Sequence, residues 1–535
     1  MAEHRSLRLL PALFILLSAL GAGILSTPAS AAAQKRGSRV LRVGTYKGVK
    51  GKFKSIQAAV NKARPGDWIL VGPGDYHERY DQVTGPASED GPPPAGVLIT
   101  KKGLHLRGMS RKKVIVDGTL PHKGKHCSSD PAVQDFGVNT PDGPQGRNGI
   151  VVFKANHTRI DNLTVCNFLV GSSGQGNEIW WNGGDGSGQI GMGPFKGSYL
   201  SATSTYYGDD STAAGYGIFT SNSSGSGKLF QTYASNFSDS GYYIGACQQS
   251  CNQVLDHAWS EYSALGYSGT NSGGWLVVKN SEFDNNQDGF DTNSQNNDDA
   301  PSPQDGACPG NATSSITHTG SCWVFMKNYV HDNNNPDVPR VGAAGAAPVG
   351  TGMSIAGGRN DTIENNRFIH NGSWGLILFP FPDTDTPPPV AHCQGGVDTG
   401  GPFGCLYDDW GSAAKNNTFK ENGFFGNATN GDIGQITFTD GNPINCFSGN
   451  SLPDGTSPAN LQSTQPACGP TAPANPNFDL VTQLECNAML FGTPCGPNDH
   501  YPRRQGVVMH KLPNKKLKNM PHPCKGVPRN PWCRS

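Results

Sequence analysis

A chain of 535 residues with 71 glycines and 35% hydrophobic content is long enough for two or three ordinary domains or for one long repeat array. Its formal net charge of zero hides an asymmetry: residues 34–500 carry 31 basic against 41 acidic residues, whereas 501–535 carry nine Lys/Arg and no Asp or Glu. The acidic body argues against nucleic acid as a partner, and no apolar run after residue 33 is long enough to span a bilayer.

Residues 1–33 read as a cleaved signal peptide. Arg5 and Arg8 precede the apolar run Leu9–Leu25, and the small-residue stretch TPASAAA follows. The mature chain is therefore expected to be secreted, and its fourteen cysteines agree. They fall into sequential pairs, Cys127/Cys166, Cys247/Cys251, Cys308/Cys322, Cys393/Cys405, Cys446/Cys468, Cys486/Cys495 and Cys524/Cys533, which in an oxidising compartment read as disulfides. No CxxC pair is followed by a second at zinc spacing.

In FKSIQAAVNKA, the residues Phe53, Ile56, Ala59, Val60 and Ala63 share one helical face, so a short amphipathic helix is expected over 53–63. ARPGDWILVGPGDYHE follows, with two Pro-Gly-Asp turns around the apolar run Trp68–Val71, a short strand buried on both faces. A helix before one buried strand suits the first coil of a solenoid, whose open end needs a cap. Further strand-like runs at 96–100, 104–108, 114–118, 149–153 and 158–165 each close on Gly, Asn or Asp.

A motif then recurs: SNFSDSGYY (235–243), NSEFDNNQDGF (280–290), NNRFIHNGSWG (365–375) and NNTFKENGFFG (416–426). The aromatics Phe237, Trp259 and Phe283 fall 22 and 24 residues apart and are expected to stack in register, with later copies at Phe368 and Phe419 displaced by insertions. A period near 23 with three short strands per repeat suits a parallel β-helix, and asparagines at matching turns suit ladders. Leucine-rich repeats lack support because the L-x-x-L-x-L skeleton is missing, and a propeller would repeat at 40 or more residues.

The stretch SIQAAVNKARPGDWILVGPGDYHE, followed by LHLRGMSRKKVIVDG, resembles the opening coil of the pectate-lyase-like (pectin lyase-like) superfamily, and the NxFxxNG coils resemble its repeats. The resemblance covers about 40–450. It implies an all-β fold, a single-stranded right-handed parallel β-helix with a short N-terminal capping helix and a Cys-rich C-terminal extension. Insertions are expected at 175–215, 293–322, 334–352 and 380–412, a Cys/Pro-rich cap over 451–500, and a basic, flexible tail over 501–535.

Two clusters carry candidate chemistry. In NNQDGFDTNSQNNDD (285–299), Asp288 and Asp291 flank a Gly-Phe turn, and Asp298 and Asp299 follow. Several oxygen donors in a loop suit calcium, with all four aspartates as its ligands. DGFD also resembles the calcium-binding turn of one pectate lyase family, which implies β-elimination on a uronate polymer. NQDGFD equally resembles the NTDGxD signature of polygalacturonases, where carboxylates act as acid and base. The sequence departs from both patterns: ALGYSG (264–269) lacks the lyase aspartate, Ser354 stands where the lyase pattern has its lysine, and no second Asp-Asp turn follows. Arg359, Lys327 and Arg340 are the candidate bases. In GNEIWWNGGDGSGQIGMG (176–193), Trp180 and Trp181 cannot both point into one core, so a sugar-binding surface with Glu178 and Asp185 is expected.

The eight histidines at 105, 122, 126, 157, 257, 318, 331 and 370 show no metal-ligand spacing. The basic tail suits an acidic polymer. Two functions follow: a secreted, calcium-assisted enzyme acting on an acidic polysaccharide, a lyase before a hydrolase, or a non-catalytic β-helix that binds glycan or cell envelope. A monomer is expected.

Overall fold

In a computed structural model, residues 37–534 are described apart from 86–90, 185–189, 248–249, 297–321, 385–392, 394, 402 and 490–491. The signal peptide, Asp185, Asp298, Asp299 and Cys308 lie outside them. Three parallel sheets are built between residues 40 and 457. The first has twelve described strands, from Val40–Val43 to Cys446–Ser448, and the second has ten, from Gly74–Tyr76 to Thr418–Lys420. The third comprises a six-stranded part, Ala95–Ile99 to Leu265–Ser268, and a five-stranded part, Asp291–Asn293 to Thr456–Ser457. Bridges Leu265↔Asp288 and Thr270↔Asn293 join the two parts. Successive strands of each sheet are connected through the other two, the right-handed crossover that parallel strands favour. The fold is a right-handed parallel β-helix.

Inward residues stack rung upon rung. In the first sheet Ile69, Leu106, Ile160, Gly197, Leu229, Leu255, Val278 and Phe325 occupy one register column, and all but the glycine are buried hydrophobics. Gly197 interrupts it for a reason: a Cβ there would lie 2.8 Å from the Trp181 ring and from Leu229. The space is the indole's.

Asparagine ladders form at two corners. Between the first and second sheets, the Oδ1 atoms of Asn328, Asn366, Asn417 and Asn450 accept the backbone N–H of Ser281, Asn328, Asn366 and Asn417 at 2.9–3.0 Å. Between the second and third, Asn286, Asn333, Asn371 and Asn422 do the same at 3.0–3.2 Å. The residue before each ladder position is left-handed, as at Asn280, Lys327, Asn365 and Asn416. These bonds satisfy corner amides that lie too deep for water.

The expected aromatic register is corrected. Trp259 pairs with Glu282 and points outward, whereas Phe283 pairs with Ser260 and points inward; Phe237 sits at the following corner. The inward column is Phe283, Val330, Phe368 and Phe419, so the two copies read as displaced are the ones in register. The spacing was right and the phase was not, because neighbouring residues on a strand face opposite ways.

Helix α1, Ile56–Lys62, covers the first coil as expected. Ser55 caps it, and Glu78 accepts the N–H groups of Ile56 (2.5 Å) and Gln57 (3.2 Å). Near the other end Leu461 enters the core, and helix α2, Phe478–Ala488, packs Leu480 and Leu484 on Trp374, Ile377 and Ile436. Six sequential disulfides are described, and Cys308 falls outside.

The tail differs most from expectation. Residues 501–534 are not a free appendage; they run back along the solenoid to its N-terminal end. Arg504 pairs with Asp210 at 2.6 Å, and His510 exchanges two hydrogen bonds with Asn236 and stacks 3.6 Å from the Tyr262 ring. Arg111 then donates to the Lys518 carbonyl, Asn162 accepts the Met520 N–H, and Arg107 donates to the carbonyls of Pro523 and Lys525. Trp532, buried, donates to the Val49 carbonyl. Side chains of the coils satisfy a backbone that has no secondary structure of its own.

Candidate functional site

Most coils of the third sheet carry a glycine followed by one inward and one outward residue, with Glu178 and Asp432 in the glycine's column on two of them. The glycine is sterically required: at Gly289 a Cβ would lie 2.5 Å from the Gly352 carbonyl and 2.7 Å from Asn333 Nδ2. The outward row that follows runs Trp180, Phe219, Tyr243 and Ser268, then Asp291, Ser354 and Ile377. From Trp180 to Asp291 is four rungs, roughly 19 Å.

The acidic turn is built by that glycine column. Asp288 precedes Gly289 and is fully buried; its Oδ1 accepts the Phe290 N–H at 3.1 Å. Asp291 is half-buried and lies opposite Ser354 on the next coil. Ser354 Oγ sits 2.8 Å from Asp288 Oδ2 and 2.5 Å from Asp291 Oδ1. One hydroxyl proton serves one carboxyl at a time, so the second short contact needs a proton on a carboxyl. Burial and the neighbouring charge of Asp291 hold Asp288 well above the usual carboxylate range, and burial pushes Asp291 up to about 6.

A third carboxyl was not anticipated. Asp239 accepts the Tyr216 hydroxyl at 2.8 Å, and burial, with the charge of Asp291, raises it to about 7. The Tyr216 ring stacks on Phe219 at 4.6 Å, and Phe219 meets Tyr243 edge-on at 4.6 Å. An aromatic run therefore leads along the outward face to three carboxyls whose proton affinities burial raises above the usual carboxylate range. The signal for this row lay in the sequence, since aligning YGIF, SGYY, LGYS, DGFD and TGMS on their glycines places Phe219, Tyr243, Ser268, Asp291 and Ser354 in one column.

The expected sugar-binding quartet is dispersed. Residues Asn177–Asn182 form a strand rather than an insertion loop, and its alternation sends Trp181 into the core. Trp180 remains half-buried on the outward row, its ring face-to-face with Phe219 at 4.9 Å and its Nε1 donating to Ser221. Glu178 occupies a position of the glycine column, so its side chain turns inward, where Oε1 accepts the Phe168 N–H and burial raises it well above the usual range. Asp185 lies outside the described residues.

Of the three candidate bases, Arg340 lies nearest the acidic turn. It donates to Gln287, the neighbour of Asp288, at 3.3 Å, and shares a cleft with Arg503 and Arg504. Burial, Arg504 and Arg503 lower its pKa. Arg359 is buried at the corner beyond the Ser354 strand, its guanidinium 5.1 Å from the Trp410 ring centre. Lys327 is on another face, at a left-handed corner between the first and second sheets.

Calcium needs six to eight oxygens. At the acidic turn both carboxylates have an oxygen engaged by Ser354, and they belong to no cluster of three or more ligating side chains among the described residues. Asp298 and Asp299, expected to complete the shell, lie outside. The described donors do not fit the ion, and no step is derived through it. None of the described helices is long and apolar enough to cross a membrane.

No family model matches the sequence, and no curated protein does. Among solved structures the chain is similar to the A-module of Azotobacter vinelandii mannuronan C-5 epimerase AlgE4, at 12% identity over 74% of this chain and 90% of that one, with a TM-score of 0.41. It is also similar to an alginate lyase from Paenibacillus sp. str. FPU-7, at 9% identity over 78% and 97%, TM-score 0.35. Pectate lyase Pel9A matches at 13% identity over 78% of each chain, TM-score 0.36. The likeness is one of fold, and the three parallel sheets by themselves make the coil a parallel β-helix.

Proposed function

We propose that the protein acts on an acidic polysaccharide held along the outward face of the third sheet, with Asp291 and Asp239 moving the protons. One observation carries this reading: a half-buried carboxyl at about 6 stands on the outward row and its charge helps raise another to about 7, each hydrogen-bonded by a hydroxyl. Such groups give and take protons near neutral pH, as cleavage of a glycosidic bond by hydrolysis or elimination requires. Ser354 and Tyr216 orient the two carboxyls, and the charge of Asp291 helps keep the buried Asp288 protonated across Ser354. Arg340, Arg503 and Arg504, gathered beside Gln287, supply the positive rim that a uronate carboxylate needs.

Incubation with polygalacturonate and alginate tests the proposal, read by the ultraviolet absorbance of unsaturated ends and by new reducing ends. Turnover is expected to follow a bell-shaped pH profile whose limbs belong to the coupled set, and Asp291→Asn should lower it about 100-fold or more. Unchanged turnover in that variant would remove Asp291 from the chemistry.

A second reading is favoured by Ser354, which closes the pair where the lyase pattern has a lysine. In that reading the face binds the polymer without cleaving it. Binding of polygalacturonate by wild type with no new ends of either kind would select it.

A further inference from the structure

The N-terminal end of the solenoid is basic to a degree that neither contributing segment explains alone. Residues 38–66 contain eight Lys/Arg and no Asp or Glu, and residues 501–535 contain nine and none. Folding lays the end of the second segment on the start of the first, although the two are more than 450 residues apart and repel each other. The contact is specific. The loop closed by Cys524–Cys533 inserts Trp532 against Trp68, Leu70 and Met109, and the Trp532 indole donates to the Val49 carbonyl at 2.9 Å.

Between that loop and the hairpin Thr45–Lys50 lies a cleft of about 800 Å³, whose walls include Tyr46, Lys47, His522, Lys525, Trp532 and Arg534. No acidic residue lines it. Arg42 stands beneath, 5.9 Å from the Trp532 ring centre, and its buried Nη1 has no hydrogen-bond partner. The volume is that of a binding cleft rather than a surface dimple. Holding like charges around an open cleft is unfavourable unless something anionic lowers the repulsion.

We propose that this cleft is a second binding site, separate from the third sheet, for a segment of an anionic polysaccharide. Tyr46 and Trp532 offer aromatic surface to sugar C–H groups, while Lys47, Lys525 and Arg534 meet carboxylates or sulfates along the chain. Six described disulfides point to an oxidising compartment, where acidic glycans are the abundant polyanions and nucleic acid is scarce. The inference stands on charge and shape at the N-terminal end and does not need the third sheet to be catalytic.

Affinity electrophoresis of the full chain through polygalacturonate, with dextran as the neutral control, tests it. Wild type should be retarded by polygalacturonate only, and roughly 0.5 M NaCl should abolish the effect. The triple variant Lys47→Glu, Lys525→Glu, Arg534→Glu should lose at least about tenfold in affinity, while a charge-matched variant at remote exposed positions, Lys123→Glu, Lys196→Glu, Lys228→Glu, stays within about twofold. In an Asp291→Asn background the Lys47, Lys525 and Arg534 substitutions should cause the same loss as in wild type, which separates this site from the third-sheet reading. A triple variant that binds normally, or a matched variant that loses as much, would overturn the proposal. So would tighter binding to a DNA oligonucleotide or to phosphatidylglycerol vesicles than to polygalacturonate.

Discussion

At the residue scale the acidic turn is a place where stability is given up. Asp288 and Asp291 both bind protons more tightly in the folded chain than in the unfolded one. Their contribution is therefore fully present below the unfolded carboxylate range and is lost as pH rises through about 6, the folded value for Asp291. Asp239, raised to about 7, extends the same loss toward neutrality. Asp288→Asn removes a group that ionises more readily in the unfolded chain yet keeps one that hydrogen-bonds Ser354, so at pH 8 it should stabilise the protein by about 1–2 kcal/mol. Thermal unfolding at pH 4 and pH 8 checks this: the variant's gain should shrink or vanish at pH 4. A loss at pH 8 would mean that the pair is held by a cation after all. The DGFD turn and the serine at 354 were legible in the sequence as residue types. Their joining through one hydroxyl was not, because Asp291 and Ser354 are 63 residues apart and meet only through strand register. Asp239 was missed for a related reason, since it lies in the turn before its strand and reaches the site only through the sheet.

At the scale of elements, the coil was legible in its period and its asparagines, and misread in its phase. Short strands with every residue type on both faces give few alternation cues, so Trp259 was placed in a column that Ser260 occupies. The WW pair was read as an insertion because glycines surround it, yet an isolated rung pairs on both sides and needs no turn of its own. The asparagine ladders, by contrast, depend on side chains at fixed corners and so survive insertions between copies. Each internal ladder asparagine satisfies two buried backbone groups. Asn371 accepts the Asn333 N–H at 3.2 Å and donates to the Val330 carbonyl at 3.3 Å. Asn371→Ala leaves both without a partner in a corner that water cannot reach, and should cost about 2–4 kcal/mol. Thermal unfolding measures the effect, and Lys420→Ala, whose side chain is exposed on the next rung, should change stability little.

At the scale of the whole molecule, a solenoid is held together by contacts between neighbouring coils, and its ends are the weak points. Here one segment, 501–534, crosses many coils and ties the C-terminal end to the N-terminal one. Proline, lysine and the lack of apolar periodicity made it read as a flexible tail. Its order comes from partners that local sequence does not show: Asp210, Asn236, Tyr262, Arg111, Asn162 and Arg107 each hold one stretch of it. Truncation after residue 500 would uncover Trp68, Leu70 and Met109 beneath Trp532, and would orphan donors on Arg107 and Arg111. The apolar exposure and the lost hydrogen bonds together should cost on the order of several kcal/mol. Because coils communicate only with their neighbours, the loss should be local. Hydrogen exchange should quicken in the N-terminal coils, residues 40–117, where Trp532 and Arg107 make their contacts, and stay slow at Ala413–Lys415 and Cys446–Ser448, which the tail is not seen to touch. Equal exchange in the truncated and full-length proteins would mean that the tail lies on the solenoid without holding it, and a uniform acceleration along the chain would mean that the coils unfold as one unit.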